Sequence, residues 1–153
     1  MNSLPIHTGD KMKVYISTEQ PETPEYTHVP NIMSLDSVVL DCEATDIVVK
    51  DYLSQFTDNE LMPLLQKIVS KLRINGAITI LDNDIDITYM KYDRGDIDLK
   101  TLNSVVFRGQ SKKSFLNIET VKDLVKDVFT LEHSSVDAQT GNFIVKARRT
   151  ANG

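Results

Sequence analysis

The chain has no tryptophan, one cysteine, six glycines and an aromatic content of 7% in 153 residues. The lone Cys42 excludes an internal disulfide and makes a reducing compartment, the cytoplasm, the expectation. No apolar run is long enough to cross a bilayer, so no membrane role is expected. Met1 to Asp10 has no basic stretch followed by an apolar one, so no secretory leader is expected either. With a net charge of -5, the chain lacks the excess of Lys and Arg that phosphate neutralisation requires. Nucleic acid is therefore excluded as the main partner. The basic residues Arg108, Lys112, Lys113, Lys146, Arg148 and Arg149 are read as solvated surface. His7, His28 and His133 are too scattered for a metal site, and no Ser-His-Asp arrangement or zinc spacing occurs. His133 falls in an expected strand and is read as structural or exposed.

What is present describes one domain. Residues 1–11 lack periodicity and form an expected arm; residues 12–150 form an expected single domain. Lys13 to Ser17 reads as a short strand, and residues 18–31, with Pro21, Pro24 and Pro30, as loop. Ser37–Asp41 and Asp46–Val49 are β-branched apolar runs of the kind buried on both faces of a parallel sheet. Leu61, Leu64, Leu65, Ile68, Val69 and Leu72 make one helical stripe. Thr57 and Glu60 have capping-box spacing. Pro63 pushes the expected start to Asn59 or Glu60, and Asn75-Gly76 closes the helix, with Gly76 free to take a positive φ. A strand over Ala77–Leu81 follows. Residues 82–98 resist assignment; Asp98–Phe107 has helical spacing. Asn117 caps an expected helix over Ile118–Lys126, and Phe129–Asp137 with Asn142–Arg149 reads as a hairpin. Strands alternating with helices predict an α/β sheet with helices packed on it.

Few residues offer chemistry. Asp82, Asp84 and Asp86 alternate, but an EF-hand loop would need glycine and glutamate where Ile87 and Asp93 stand. A solvated acidic loop is expected there instead, past a strand end on the side where ligands usually bind. Lys50, Asp51 and Tyr52 follow a strand; a Lys–Asp pair suits acid–base work, and a surface turn opening a helix is the simpler reading. Cys42 lies beside Asp41, whose charge disfavours a thiolate.

Several segments, in order, resemble class I S-adenosylmethionine-dependent methyltransferases of the small type associated with polysaccharide and phage genes. Leu72-Arg73-Ile74-Asn75-Gly76-Ala77-Ile78-Thr79-Ile80 is similar to the family's helix, glycine turn and strand. Met12 to Thr18 stands where the family's first strand runs into its glycine-rich loop. Tyr26 to Pro30 matches the second strand, Leu35 to Glu43 the third segment, and Thr45 to Phe56 the fourth. Phe107-Arg108-Gly109-Gln110 with Lys113-Ser114-Phe115 is similar to a segment before the last helix.

The resemblance implies a Rossmann-like methyltransferase fold: a mostly parallel sheet, a C-terminal antiparallel hairpin, and a first helix reduced or absent. It also implies where a cofactor would lie, and there the sequence departs from the pattern. The turn after the first strand reads Ser17-Thr18-Glu19-Gln20-Pro21-Glu22-Thr23-Pro24, without glycine. Glycine there would allow close backbone approach; Glu19 would instead repel the cofactor's carboxylate. The ribose-binding acid falls on Pro30, and the family's Glu-His pair on Ser54-Gln55. Asp41 alone matches an expected contact, beside adenine, and reads equally as a polar strand-end residue.

The first functional expectation is a degenerate methyltransferase-like module with no cofactor, acting through a protein partner or self-association, with a phage accessory or virion role as one setting. The alternative is an active S-adenosylmethionine-dependent methyltransferase acting on a sugar or other small acceptor. In that case Asp41, Ser17 and Thr18 bind the cofactor, and Asp51 or Tyr52 faces the acceptor.

Overall fold

The computed structural model describes residues 11–107 and 113–150. The segment Arg108-Gly109-Gln110 and most of the expected N-terminal arm lie outside the described residues. Six strands form one sheet: β1 (Lys13–Ile16), β2 (Tyr26–Val29), β3 (Ala44–Lys50), β4 (Leu72–Asn83), β5 (Thr130–Asp137) and β6 (Asn142–Arg148). Their spatial order is β2-β1-β3-β4-β6-β5. The first four are parallel, and the β5–β6 hairpin joins β4 antiparallel through β6. The helices are α1 (Leu35–Val38), α2 (Asp58–Lys71), α3 (Ile85–Asp93), α4 (Leu99–Phe107) and α5 (Ile118–Lys126).

One face of the sheet makes the core. Val14, Ile16, Ile47, Val49, Ile78 and Ile80 are buried there. They join the inward stripe of α2 and, across β6, Val121 and Val125 of α5 in one cluster. The topology explains why the helices share this face. A crossover between parallel strands is right-handed, so its side depends on the direction of travel across the sheet. From β2 to β3 and from β3 to β4 the chain moves one way, which places α1 and α2 together. From β1 to β2 it moves the other way, over the opposite face, and residues 17–25 make that crossing without any helix. The absence of a first helix is thus as expected, and it leaves the second face without a helical layer among the described residues.

Several expectations are corrected. Ser37–Asp41 is not a strand: Leu35–Val38 is helical and residues 41–42 form a turn. Buried Leu35, Val38 packed against the core, buried Val39 and the bond from Val39 N–H to the Leu35 carbonyl hold this turn of helix against the β-branched preference. Residues 26–29 fall in the stretch read as loop from its prolines, but they pair with β1 as β2, the second strand that the family resemblance implied. β3 alternates between buried and half-buried positions because only one of its faces is covered. The main helix starts one residue earlier than expected, at Asp58, with Thr57 and Glu60 closing the capping box and Pro63 inside. The helix ends at Lys71, with extended Leu72 as its cap and the first residue of β4, so Asn75-Gly76 lies within β4 and does not close the helix. Asn75, not Gly76, takes the positive φ of 71°. A Cβ on Gly76 would lie 2.9 Å from the Arg73 carbonyl oxygen and 3.2 Å from that of Ala44, so glycine is needed for close approach. α3, in the segment that resisted assignment, starts because Asp84 accepts the N–H groups of Asp86 and Ile87.

Candidate functional site

The chain reverses its direction of travel across the sheet between β1 and β3. In open α/β sheets, ligands bind outside the carboxyl ends of the strands at such a reversal. Three segments meet there: residues after β1, after β3, and at the end of β4.

After β1, Ser17 is fully buried. Its N–H donates to Val29 O (3.3 Å) and its Oγ accepts the Glu19 N–H (3.2 Å). Its carbonyl lies 2.7 Å from His28 Nε2, which therefore carries the proton and donates. Thr18 and Glu19 are exposed. A helix here would aim free N–H groups and a partial positive charge at an anionic ligand. The loop instead presents Glu19, Glu22 and Glu25, with Pro21 and Pro24 lacking N–H groups. These residues do not fit the carboxylate end of an adenosylmethionine cofactor.

After β3, Asp51 adopts φ 53° and donates its N–H to Leu81 O at 2.8 Å. Tyr52 is buried rather than turned to an acceptor. Its hydroxyl accepts the Ile32 N–H at 2.8 Å, and its ring lies 5.2 Å from that of Phe56. Lys50 lines a cavity of about 280 Å³ on the open face with Tyr15, Pro21, Glu22, Val48 and Leu81. Among the described residues no carboxylate lies within ion-pair distance of Lys50, so no Lys50–Asp51 acid–base pair forms. Burial pushes the Tyr15 phenol up; Lys50 opposes this, and Glu19, Asp51 and Glu22 add to it.

The end of β4 overturns the expected solvated acidic loop. Asp82, Asn83 and Asp84 are buried. Asp82 accepts Ser54 N–H and Ser54 Oγ, both at 3.2 Å, and Asn83 N–H at 2.8 Å. Asp84 caps α3 with one oxygen and accepts Ile118 N–H, at the start of α5, with the other at 2.8 Å. The Asn83 amide donates to Thr88 Oγ1 (2.7 Å) and Gly141 O (3.2 Å). Among the described residues no group of His, Cys, Asp and Glu is placed to hold a metal. The Asp82 and Asp84 carboxylates tie the end of β4 to the segment after β3 and to the starts of α3 and α5. The Asn83 amide and the Asp84 N–H hold the hairpin turn at the Gly141 carbonyl. Sequence reasoning passed over Ser54 and Asp82 as a pair. The available signal was Asp82 directly after the apolar run Ala77–Leu81; Ser54, four residues past the end of β3, carried none.

Asp41 is not with Ser17 and Thr18. It precedes β3 and so lies at the amino ends of the parallel strands, opposite the crevice. Lys71 Nζ bridges Asp41 and Asp36, each at 2.8 Å, and Lys67 joins Asp36 at 2.8 Å. The two lysines hold the Asp36 carboxyl down to about 2, and Asp36 and Asp41 together raise Lys71. The C-terminal basic residues are not all solvated surface. Arg149 Nη1 donates to Val69 O (2.9 Å) and Leu72 O (2.7 Å), closing the end of α2. Arg148 bonds Glu132 and the Asn75 carbonyl. His133 is exposed on β5.

No family model matches this sequence, and no curated protein does. Solved structures match by shape. A SAM-dependent methyltransferase from Methanosarcina mazei is 13% identical, with a TM-score of 0.53 over 82% of this chain and 66% of its own. An O-methyltransferase family protein from Burkholderia thailandensis is 11% identical, with a TM-score of 0.58 over 94% and 45%. The 1,6-didemethyltoxoflavin-N1-methyltransferase of that organism, solved with bound S-adenosylhomocysteine, is 14% identical, with a TM-score of 0.58 over 93% and 62%. The chain spans between about half and two thirds of the length of these proteins. Strand order, parallel register and closing hairpin together give this chain the Rossmann-like fold of the SAM-dependent methyltransferases.

Proposed function

We propose that this chain is a methyltransferase-like domain that has given up cofactor binding and catalysis and works as a structural or protein-binding module. The observation that carries this reading is the crossing from β1 to β2. Where the family pattern has a glycine turn and helix, residues 17–25 form a loop bearing three glutamates and two prolines. An anion-binding helix terminus is converted into a patch that repels anions. Ser17 already spends its hydroxyl on Glu19, and Tyr52 its hydroxyl on Ile32. The resemblance stated above makes a phage accessory or virion component the setting we favour, in the cytoplasm of a host or in a particle.

The competing reading is an active methyltransferase with an atypical loop, using Asp41, Ser17 and Thr18 for the cofactor and Asp51 or Tyr52 toward a sugar or other small acceptor. The fold supports it. The separation of Asp41 from Ser17 weighs against it, because one cofactor would have to reach opposite ends of the sheet. Titration calorimetry separates the two. The expected result with S-adenosylmethionine or S-adenosylhomocysteine is no heat of binding at millimolar ligand. Micromolar binding that is lost in Thr18→Arg would establish the enzyme reading instead.

A further inference from the structure

The open face of the sheet has a charge pattern of its own. The strand registers place His28, Tyr15, Val48, Thr79, Lys146 and His133 side by side across it. The next row toward the carboxyl ends holds Lys50, Leu81 and Ile144. Val48, Thr79, Leu81 and Ile144 are half-buried by their neighbours and lie outside the core. Parallel strands are normally covered on both faces. Among the described residues the cover on one side is the 17–25 loop, whose Pro21, Glu22 and Thr23 line one cavity with Tyr15 and Val48.

The two halves of this face differ in charge balance. The row toward the amino ends adds Asp46 and the Glu132-paired Arg148 to the β3–β6 half, which keeps a basic excess. Glu22 of the loop lines one cavity with Lys50 where the halves meet. The β1–β2 half carries the raised loop with Glu19, Glu22 and Glu25, the last joined to Lys13 at 3.3 Å. The β3–β6 half is low and carries Lys50 and Lys146; among the described residues neither has a carboxylate within ion-pair distance. A two-fold axis between two such faces, running along the strands, exchanges the halves. Each acidic loop then lies on the other copy's lysines, and the apolar centres meet. An isologous dimer requires this kind of self-complementary patch.

We infer that a second copy of this chain covers the open sheet face, forming a two-fold dimer through the 17–25 loop and the Lys50–Lys146 half. The inference gives the proposed binding module its partner and rests on that reading for its biological meaning. Its test is separate, because cofactor heat and molecular mass are independent measurements.

Sedimentation velocity on the purified chain is expected to show a dimer at tens of micromolar, loosened by salt. Lys50→Glu with Lys146→Glu sets acid against acid and is expected to weaken the dimer by at least about tenfold. Glu19→Lys with Glu22→Lys sets base against base, with the same result. Mixing these two double variants restores opposite charge at both contacts, so a mixed dimer should return. Thr79→Arg, at the centre of the face and away from the core, should give monomer with an unchanged circular dichroism spectrum. A wild-type monomer at these concentrations, double variants that dimerise as before, or a mixture that stays monomeric would each overturn the inference. Failure here alongside silent calorimetry would leave the loss of cofactor standing and this partner rejected.

Discussion

Among the described residues buried Asp82 accepts two hydrogen bonds from Ser54 and one from Asn83. Removing the acceptor leaves the donors unpaired, and a buried unpaired donor costs about 1–3 kcal/mol. Asp82→Ala is therefore expected to destabilise the fold by at least that range in urea denaturation. A change within a few tenths would contradict the network. Asp36 makes a prediction about pH. Its folded pKa of about 2 lies below the ordinary aspartate value of 3.8. The stability it contributes is present above the unfolded value and is lost as the pH falls through 2. The melting temperature should drop across that window, and Asp36→Asn should flatten this part of the drop. Because Asp36 is exposed, solvent screening keeps the effect modest.

Elements here are fixed by their ends. α2 begins at the Thr57–Glu60 capping box and ends where Arg149 takes the carbonyls of Val69 and Leu72. Between α2 and the paired part of β4 the chain passes Asn75 at positive φ and Gly76 at close contact with two carbonyls. Neither carbonyl can move without disturbing the α2–β4 joint or the start of β3. Gly76→Ala is therefore expected to cost about 1–3 kcal/mol in chemical denaturation, as overpacking does. A neutral result would mean that the joint yields. Legibility in the sequence followed the same logic. α2, α5 and the hairpin were readable because caps, apolar stripe and turn residues agreed locally. Ser37–Asp41 was not, because its β-branched run carries no sign that Leu35, Val38 and Val39 pack into the core as a helical turn. α3 was hidden because Asp84 reads as a loop acid until its two N–H partners are seen.

Among the described residues the molecule has one covered sheet face and one open face, and that asymmetry connects its fold to its proposed role. If a second copy closes the open face, folding and association are linked. The melting temperature should then rise with protein concentration, because dimer binds the folded state alone. Thr79→Arg should remove that dependence. Among the described residues no helix is long and apolar enough to cross a membrane. The candidate site was only partly legible at this scale. Ser17, Thr18, Asp51 and Tyr52 do lie at the carboxyl ends of β1 and β3 as the order of segments implied. Asp41 was misplaced because its assignment depended on a strand that does not form.

The sequence by itself determined the α/β class, the main helices, the closing hairpin and the missing glycine turn, since each rests on neighbours within one or two turns of chain. Only the tertiary structure decided which carboxylates are buried, which end of the sheet Asp41 occupies, and which sheet face lies open. The physical reason is the direction of crossing between parallel strands. It sets which residues face one another across the sheet, and no local pattern encodes it.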